Sequence, residues 1–158
     1  MNEKIKKSGF PVAFAGIAAA ILFAAAVLFV DSESDWYRGL MLPGFMPGGL
    51  ALLIIWGVML AAAGCAFCLI LLKGCGDRYL YLMAGGLALG LILWPPLFYA
   101  VHSVTWSAVI IIAVLVLTSY IAVDLKKKSC KTAFLLFAAF DAWIAFLTVT
   151  NLVVMLMN

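Results

Sequence analysis

The chain has 158 residues, of which 68% are hydrophobic and 11% charged, with a formal net charge of +3 and a mean hydropathy of +1.22. A soluble globular domain carries about 25% charged residues, so this composition excludes one and demands an all-α, multi-pass membrane protein. The length suits a single transmembrane domain, 1–158, because each crossing takes roughly 20 apolar residues.

Lys4, Lys6 and Lys7 precede an apolar run over 11–30. A basic start, an apolar centre and the small triplet Ala24-Ala25-Ala26 also fit a signal peptide. The run is long enough to cross, and Gly16, Ala20 and Ala24 form a small-residue stripe suited to helix packing, so a retained span is the preferred reading. A long loop, 31–49, follows. Within it Trp36 to Pro47 is neither span nor short connector, and Pro43 and Pro47 favour turns or extended backbone over helix. A mouth, lid or gate is expected here first.

The second span covers 50–72, with Gly57, Ala61, Gly64 and Cys68 on one face at about 100° per residue. Lys73 to Arg78 form a polar turn. The third span, 79–101, contains Gly86-x-x-x-Gly90 and then Trp94-Pro95-Pro96, where the paired prolines should kink or break the helix. After a turn at His102 to Thr105, spans four and five cover 106–123 and 132–157, separated by a cluster holding Asp124, Lys126, Lys127, Lys128 and Lys131. Five crossings result. The cations fall almost wholly on one side, leaving only Arg38 opposite, which predicts a cytoplasmic N-terminus and an outer Trp36–Pro47 loop. These charges read as topology signals that also attract anionic lipid headgroups. The lipid bilayer is thus an expected partner, and nucleic acid is not.

Cys75 and Cys130 sit in the basic connectors assigned to the cytoplasm and are expected to be reduced thiols. Cys65 and Cys68 lie inside a span. No second pair or histidine completes a metal site with them, so they read as small packing residues and no metal is expected. His102, the single histidine, has no partner that would make a catalytic constellation, and there is no phosphate-binding glycine loop or nucleophile elbow. No cofactor is required.

Polar groups inside spans are costly and therefore informative. Span five holds Asp141 and Asn151 and ends at Asn158. At about 100° per residue, Phe140, Trp143, Leu147, Asn151 and Asn158 share a sector roughly 80° wide, whereas Asp141 points elsewhere. Asp141 is a candidate intramembrane polar site that is protonated, paired across helices or water-exposed. Trp143 reads equally as a packed indole or as a ligand contact. Trp36, Trp56, Trp94 and Trp143, with Tyr37, Phe45, Phe98, Tyr99, Phe140 and Phe146, make either core packing or the walls of an aromatic cavity for a flat apolar ligand. Leu117 to Lys126 satisfies a permissive cholesterol-contact pattern of little weight.

The chain resembles the TspO/translocator-protein family, the tryptophan-rich sensory proteins also called peripheral-type benzodiazepine receptors. Trp36, Tyr37, Leu40, Pro43 and Pro47 match its first-loop motif, and Trp56 its second-span tryptophan. Trp94-Pro95-Pro96-Leu97-Phe98 looks like its third-span segment, and Trp143, Phe146, Thr148, Asn151 and Asn158 keep the spacing of its last helix. The departures are Leu42 for lysine, Phe45 for tryptophan, Gly48 for proline, Leu60 for tyrosine, Leu91 for asparagine, Ala139-Phe140 for Pro-Tyr, and Asp141 at an apolar position. They bear on ligand identity rather than fold.

The resemblance implies a five-helix bundle in a bacterial cell membrane, often a homodimer, whose cavity is capped by the first loop. It binds porphyrin or other tetrapyrroles, sterols or isoquinoline-type ligands. The expected lining is Trp56, Trp94, Phe98, Phe140, Trp143, Phe146 and Asn151, with Trp36, Tyr37, Leu40, Pro43 and Pro47 as lid. A ligand-binding sensor is the leading expectation. Light-dependent porphyrin degradation through Trp56 and Trp143, or transport of the ligand, are the alternatives. The small-residue faces suit a homodimer as well as packing within one chain.

Overall fold

The computed structural model describes residues 17–19, 21–24, 27–28, 30–31 and 33–158. Much of the first predicted span, with Lys4, Lys6, Lys7, Gly16 and Ala20, lies outside them, and residues 17–19, 21–24 and 27–28 are helical. The remaining elements are a short helix α1 (Asp35–Gly39), α2 (Gly49–Lys73), α3 (Arg78–Pro95) running into a π-helical turn (Pro96–Ala100), α4 (Val104–Lys127) and α5 (Lys131–Met157). Among the described residues, four helices are long and apolar enough to cross a membrane: α2, α3 with its π turn, α4 and α5. All are apolar on their outer faces too, where Ile54, Val58, Leu82, Val116 and Leu135 are exposed. Such exposure belongs to helices solvated by lipid.

Each helix end follows from local chemistry. Gly74, in the left-handed conformation at φ 65°, stops α2, a conformation that costs glycine least. Asp77 caps α3 by accepting the Leu80 N–H at 2.8 Å, and Ser103 caps α4 through Trp106 N–H. The last turn of α4 extends past the predicted end at 123, carrying Asp124 and two lysines in the position that favours cations.

α5 packs against both α2 and α4, and α3 packs against α4. In hydrocarbon no hydrophobic force draws helices together, so close approach has to come from small residues. Gly90 supplies it between α3 and α4: a Cβ there would lie 2.4 Å from Val114 Cγ2, and one at Gly86 3.4 Å from Leu117 Cδ1. The glycine pair predicted to pack helices is therefore used inside the chain. On the other side of α2, Gly57 receives the ring of Phe23 from the first helical segment.

The paired prolines break the α-helix near its end, as expected: α3 stops at Pro95 and continues as a π turn closed by Val101 N–H donating to Pro96 O at 2.9 Å. Neither Pro95 nor Pro96 has an N–H, so a wider turn satisfies more of the backbone than an α-turn. Two expectations are corrected. The stretch from Trp36 is not wholly turn and extended backbone, because α1 forms ahead of the two prolines. Ser34 nucleates it, accepting Tyr37 N–H at 3.3 Å while its own hydroxyl donates to Asp31 O. Finally, Cys75 and Cys130 are joined as a disulfide, with Cα atoms 6.6 Å apart and a sequence separation of 55. The antiparallel helices bring the second and fourth connectors to the same end of the bundle, a juxtaposition that residue spacing does not reveal. Lys128 reinforces the junction, donating to Asp77 at 2.7 Å and to Asp124 at 2.6 Å.

Candidate functional site

Two consecutive residues, Phe98 and Tyr99, are both buried. Both lie in the π turn that continues α3. From Phe98 an aromatic series runs through the bundle. Phe98 stacks on Trp94 (centroids 5.8 Å apart, 19° between planes) and Trp94 on Trp56 (5.8 Å, 25°). Trp56 meets Trp143 edge-on at 6.5 Å, and Trp143 stacks on Phe146 at 5.3 Å.

One end of this arc closes on α1 and the other on the segment between α1 and α2. Phe146 contacts Phe45 at 6.1 Å, while Phe98 meets Trp36 edge-on at 5.4 Å. Trp36 in turn stacks on His102 at 4.4 Å, and Tyr37 stacks on Tyr99 at 5.6 Å. α1 positions both Trp36 and Tyr37, and the Tyr37 hydroxyl donates to Met46 Sδ at 3.7 Å. Burial pushes that phenol's pKa up, keeping it a donor at neutral pH. Pro43 is buried, and Leu40, Leu42 and Met46 pack on the core. Asn158 fixes the middle of the segment, exchanging two hydrogen bonds with the Met41 backbone.

The arc has one unusual electrostatic feature. The indole Nε1 atoms of Trp56, Trp94 and Trp143 are all buried and none has a hydrogen-bond partner among the described residues. All three donors lie in a region whose rings otherwise stack closely. Beside it lies a cavity of about 20 Å³ between Met46, Leu52, Trp94, Tyr99, Thr150 and Asn151. Asn151 is held there by Ser107 Oγ, which donates to its Oδ1 at 3.3 Å.

The structure thus gathers Trp56, Trp94, Phe98, Trp143 and Phe146, with Trp36 and Tyr37 above them and Asn151 alongside. Phe140 is not among them. It packs on Phe137 at 5.8 Å and forms part of the wall of a separate, larger cavity. Sharing a helix face with Trp143 fixed its direction but not its height: three residues place it about 4.5 Å lower along α5. Asp141 points to α4, where its carboxylate accepts from the hydroxyls of Thr118 and Ser119. Tyr99, one of the aromatic residues expected in the cavity walls, is there too. Met46 and Thr150 were not expected at the site; Thr150 follows from its place beside Asn151. No three His, Cys, Asp or Glu side chains gather as a metal site among the described residues.

A search of curated proteins returns no match. The sequence matches the family described as TspO/MBR over residues 12–157, nearly its whole length. With four apolar helices of spanning length, this makes the protein an integral membrane protein, and the chain belongs to the TspO/MBR family.

Proposed function

We propose that the protein is a membrane-embedded binder of a flat, largely apolar ligand with hydrogen-bond acceptors at its edge, of the porphyrin class, held against the aromatic arc. The observation that carries this reading is the trio of buried, unpartnered indole donors on Trp56, Trp94 and Trp143. An unsatisfied buried donor costs about 1–3 kcal/mol, and an acceptor brought by a ligand would recover part of that cost three times over. Near-parallel Phe98, Trp94 and Trp56 rings suit a planar guest, which stacks in the same offset manner.

A void of about 20 Å³ takes no such guest, so binding requires the segment carrying Trp36 to Pro47 to lift. That segment then acts as the lid of a five-crossing bundle, and the Asn158 contact to Met41 is its latch. Titrating the protein in nanodiscs with protoporphyrin tests the reading. Saturable quenching of indole fluorescence is expected, weakened at least tenfold by Trp143→Ala. Quenching that never saturates, or that is unaffected by the substitution, overturns it.

Unbroken ring contact from Trp143 through Trp56 to Trp94 favours a second activity at the same place, light-dependent porphyrin breakdown. Illumination would bleach bound porphyrin faster than free porphyrin, and Trp56→Phe would abolish the difference. Equal rates reject it.

A further inference from the structure

A cavity larger than the one beside the tryptophans lies elsewhere in the described residues. It has a volume of about 370 Å³ and runs between the first helical segment, α2 and α3. Its walls are side chains of Ala, Gly, Leu and Phe, and the Tyr81 hydroxyl is the single polar side-chain group among them. On α2 it extends from Leu60 to Leu71, about 16 Å at 1.5 Å per residue.

Gly85 lines this cavity, in the middle of α3, and a Cβ there would meet nothing within 4 Å. Glycine in a helix interior is unfavourable relative to alanine, yet among the described residues Gly85 serves no turn and no close helix contact. What it does supply is room. Gly90, five residues on, has the opposite environment and is filled by Val114.

The two ends differ chemically. The inner end is closed by Leu60, Leu91 and Phe140, and Leu60 and Leu91 lie one turn from Trp56 and Trp94. The other end, at Leu71 and Tyr81, is within one turn of the connector bearing Lys73 and Arg78, both exposed. Tyr81 lies over that connector, its hydroxyl so close to Gly76 that a Cβ there would sit 2.3 Å from it. A long apolar slot with a hydroxyl at one end, and two exposed cations within one turn of that end along the chain, is complementary to one straight acyl chain ending in an anionic head.

We propose that this cavity is a binding site for an anionic single-chain amphiphile, distinct from the aromatic arc. Its tail lies between Gly85, Ala88 and Phe67, and its head sits at Tyr81, Lys73 and Arg78. Length and volume agree on the chain. A dozen carbons in zigzag, with bonds near 1.5 Å, span about 15 Å. At roughly the 30 Å³ that one water takes in the liquid, 370 Å³ holds about a dozen methylene-sized groups. The head comes either from a free fatty acid or from a bilayer phospholipid that inserts one chain.

The probe is 12-bromododecanoate, added to the full chain in phosphatidylcholine nanodiscs. A bromine at the tail reaches the inner end beside Trp56 and Trp94 and quenches their fluorescence on contact. The proposal predicts saturable quenching at one probe per chain, absent with 2-bromododecanoate and weakened at least tenfold in Gly85→Leu and Ala88→Leu. Lys73→Gln with Arg78→Gln should weaken the acid several-fold and leave 12-bromododecanol unchanged. If tail-brominated phosphatidylglycerol in the disc gives the same Gly85-dependent quenching, the source is the bilayer; if only the free acid does, it is a soluble fatty acid. Unsaturable quenching, or equal quenching in a folded Gly85→Leu and a folded Ala88→Leu, overturns the proposal. Porphyrin titration of those same variants stays unchanged if the aromatic arc is a separate site, so either reading can fail alone.

Discussion

Asn158 holds the backbone of Met41 from both sides. Met41 N–H donates to Asn158 Oδ1 at 2.9 Å, and Asn158 Nδ2 donates to Met41 O at 3.2 Å, across 117 residues of sequence. The second amide proton goes to Val154 O at 2.9 Å, so the side chain is fully committed and rigidly aimed. This pairing ties the segment over the aromatic arc to the end of α5. Net, a hydrogen bond of this kind contributes about 0.5–1.5 kcal/mol, and the two to Met41 together about 1–3 kcal/mol. Asn158→Ala should therefore speed porphyrin dissociation by about 5- to 150-fold while the helical content stays the same. Stopped-flow release of the ligand checks it, and unchanged release shows that the segment is held by its apolar contacts alone.

Gly90 and Val114 make a prediction about assembly. Gly90→Ala forces a methyl to within 2.4 Å of Val114 Cγ2, and overpacking of this sort costs about 1–3 kcal/mol. Adding Val114→Ala removes the obstructing methyl and should recover most of the loss. Gly85→Ala, which meets nothing within 4 Å, should instead stabilise the fold by about 0.5–1 kcal/mol. Thermal unfolding in detergent reads all three, and a stable Gly90→Ala protein would mean that α3 and α4 are not held at this contact.

The Asp77–Lys128–Asp124 junction sets a pH dependence. Hydrogen bonding to Lys128 holds the Asp77 carboxyl below its usual range, and bonding to Asp124 and Asp77 holds the Lys128 ammonium above its own. A depressed carboxyl contributes stability above its unfolded value, about 3.9, and loses it as pH falls through the lower folded value. A raised ammonium contributes below its unfolded value, about 10.4, and loses it as pH rises through the higher folded value. The connectors should stay clamped between these limits and loosen beyond either. Lys128→Met should flatten both limbs of a plot of thermal midpoint against pH; limbs that persist belong to other groups.

Asp141 separates a structural role from a coupling one. Its two hydroxyl donors, Thr118 and Ser119, are on α4, so the carboxylate is a bridge between the two most extensively packed helices. Thr118 Oγ1 also reaches Leu115 O at 2.9 Å and keeps an acceptor if Asp141 is lost. Asp141→Asn, which can still accept, should cost less than about 1 kcal/mol, whereas Thr118→Val should cost about 1–3 kcal/mol by stripping a donor from the carboxylate. If Asp141→Asn leaves folding intact but abolishes ligand uptake into vesicles, the residue carries a proton-coupling role beyond the bridge.

Much of this architecture was legible in the sequence because hydropathy registers it directly. α2, α4 and α5 begin and end within a few residues of their predicted bounds, and Trp56, Trp94 and Trp143 do come together. Harder to see were features that depend on relative height or on which connectors meet. Phe140 shares a direction with Trp143 yet packs a turn lower, and Cys75 finds Cys130 only once α3 and α4 lie antiparallel. Small residues are ambiguous in a different way. Gly85 and Gly90 read alike in sequence, but one leaves an opening and the other is filled, a difference decided by the neighbouring helix.

The central claim, that a ligand occupies the aromatic arc and engages its free donors, is tested most directly by the indole N–H resonances in ¹⁵N-labelled protein. On adding protoporphyrin, the signals of Trp56, Trp94 and Trp143 should move to the positions of hydrogen-bonded donors, while that of Trp106, exposed at the start of α4, stays in place. Bound porphyrin with those three signals unmoved would contradict the account.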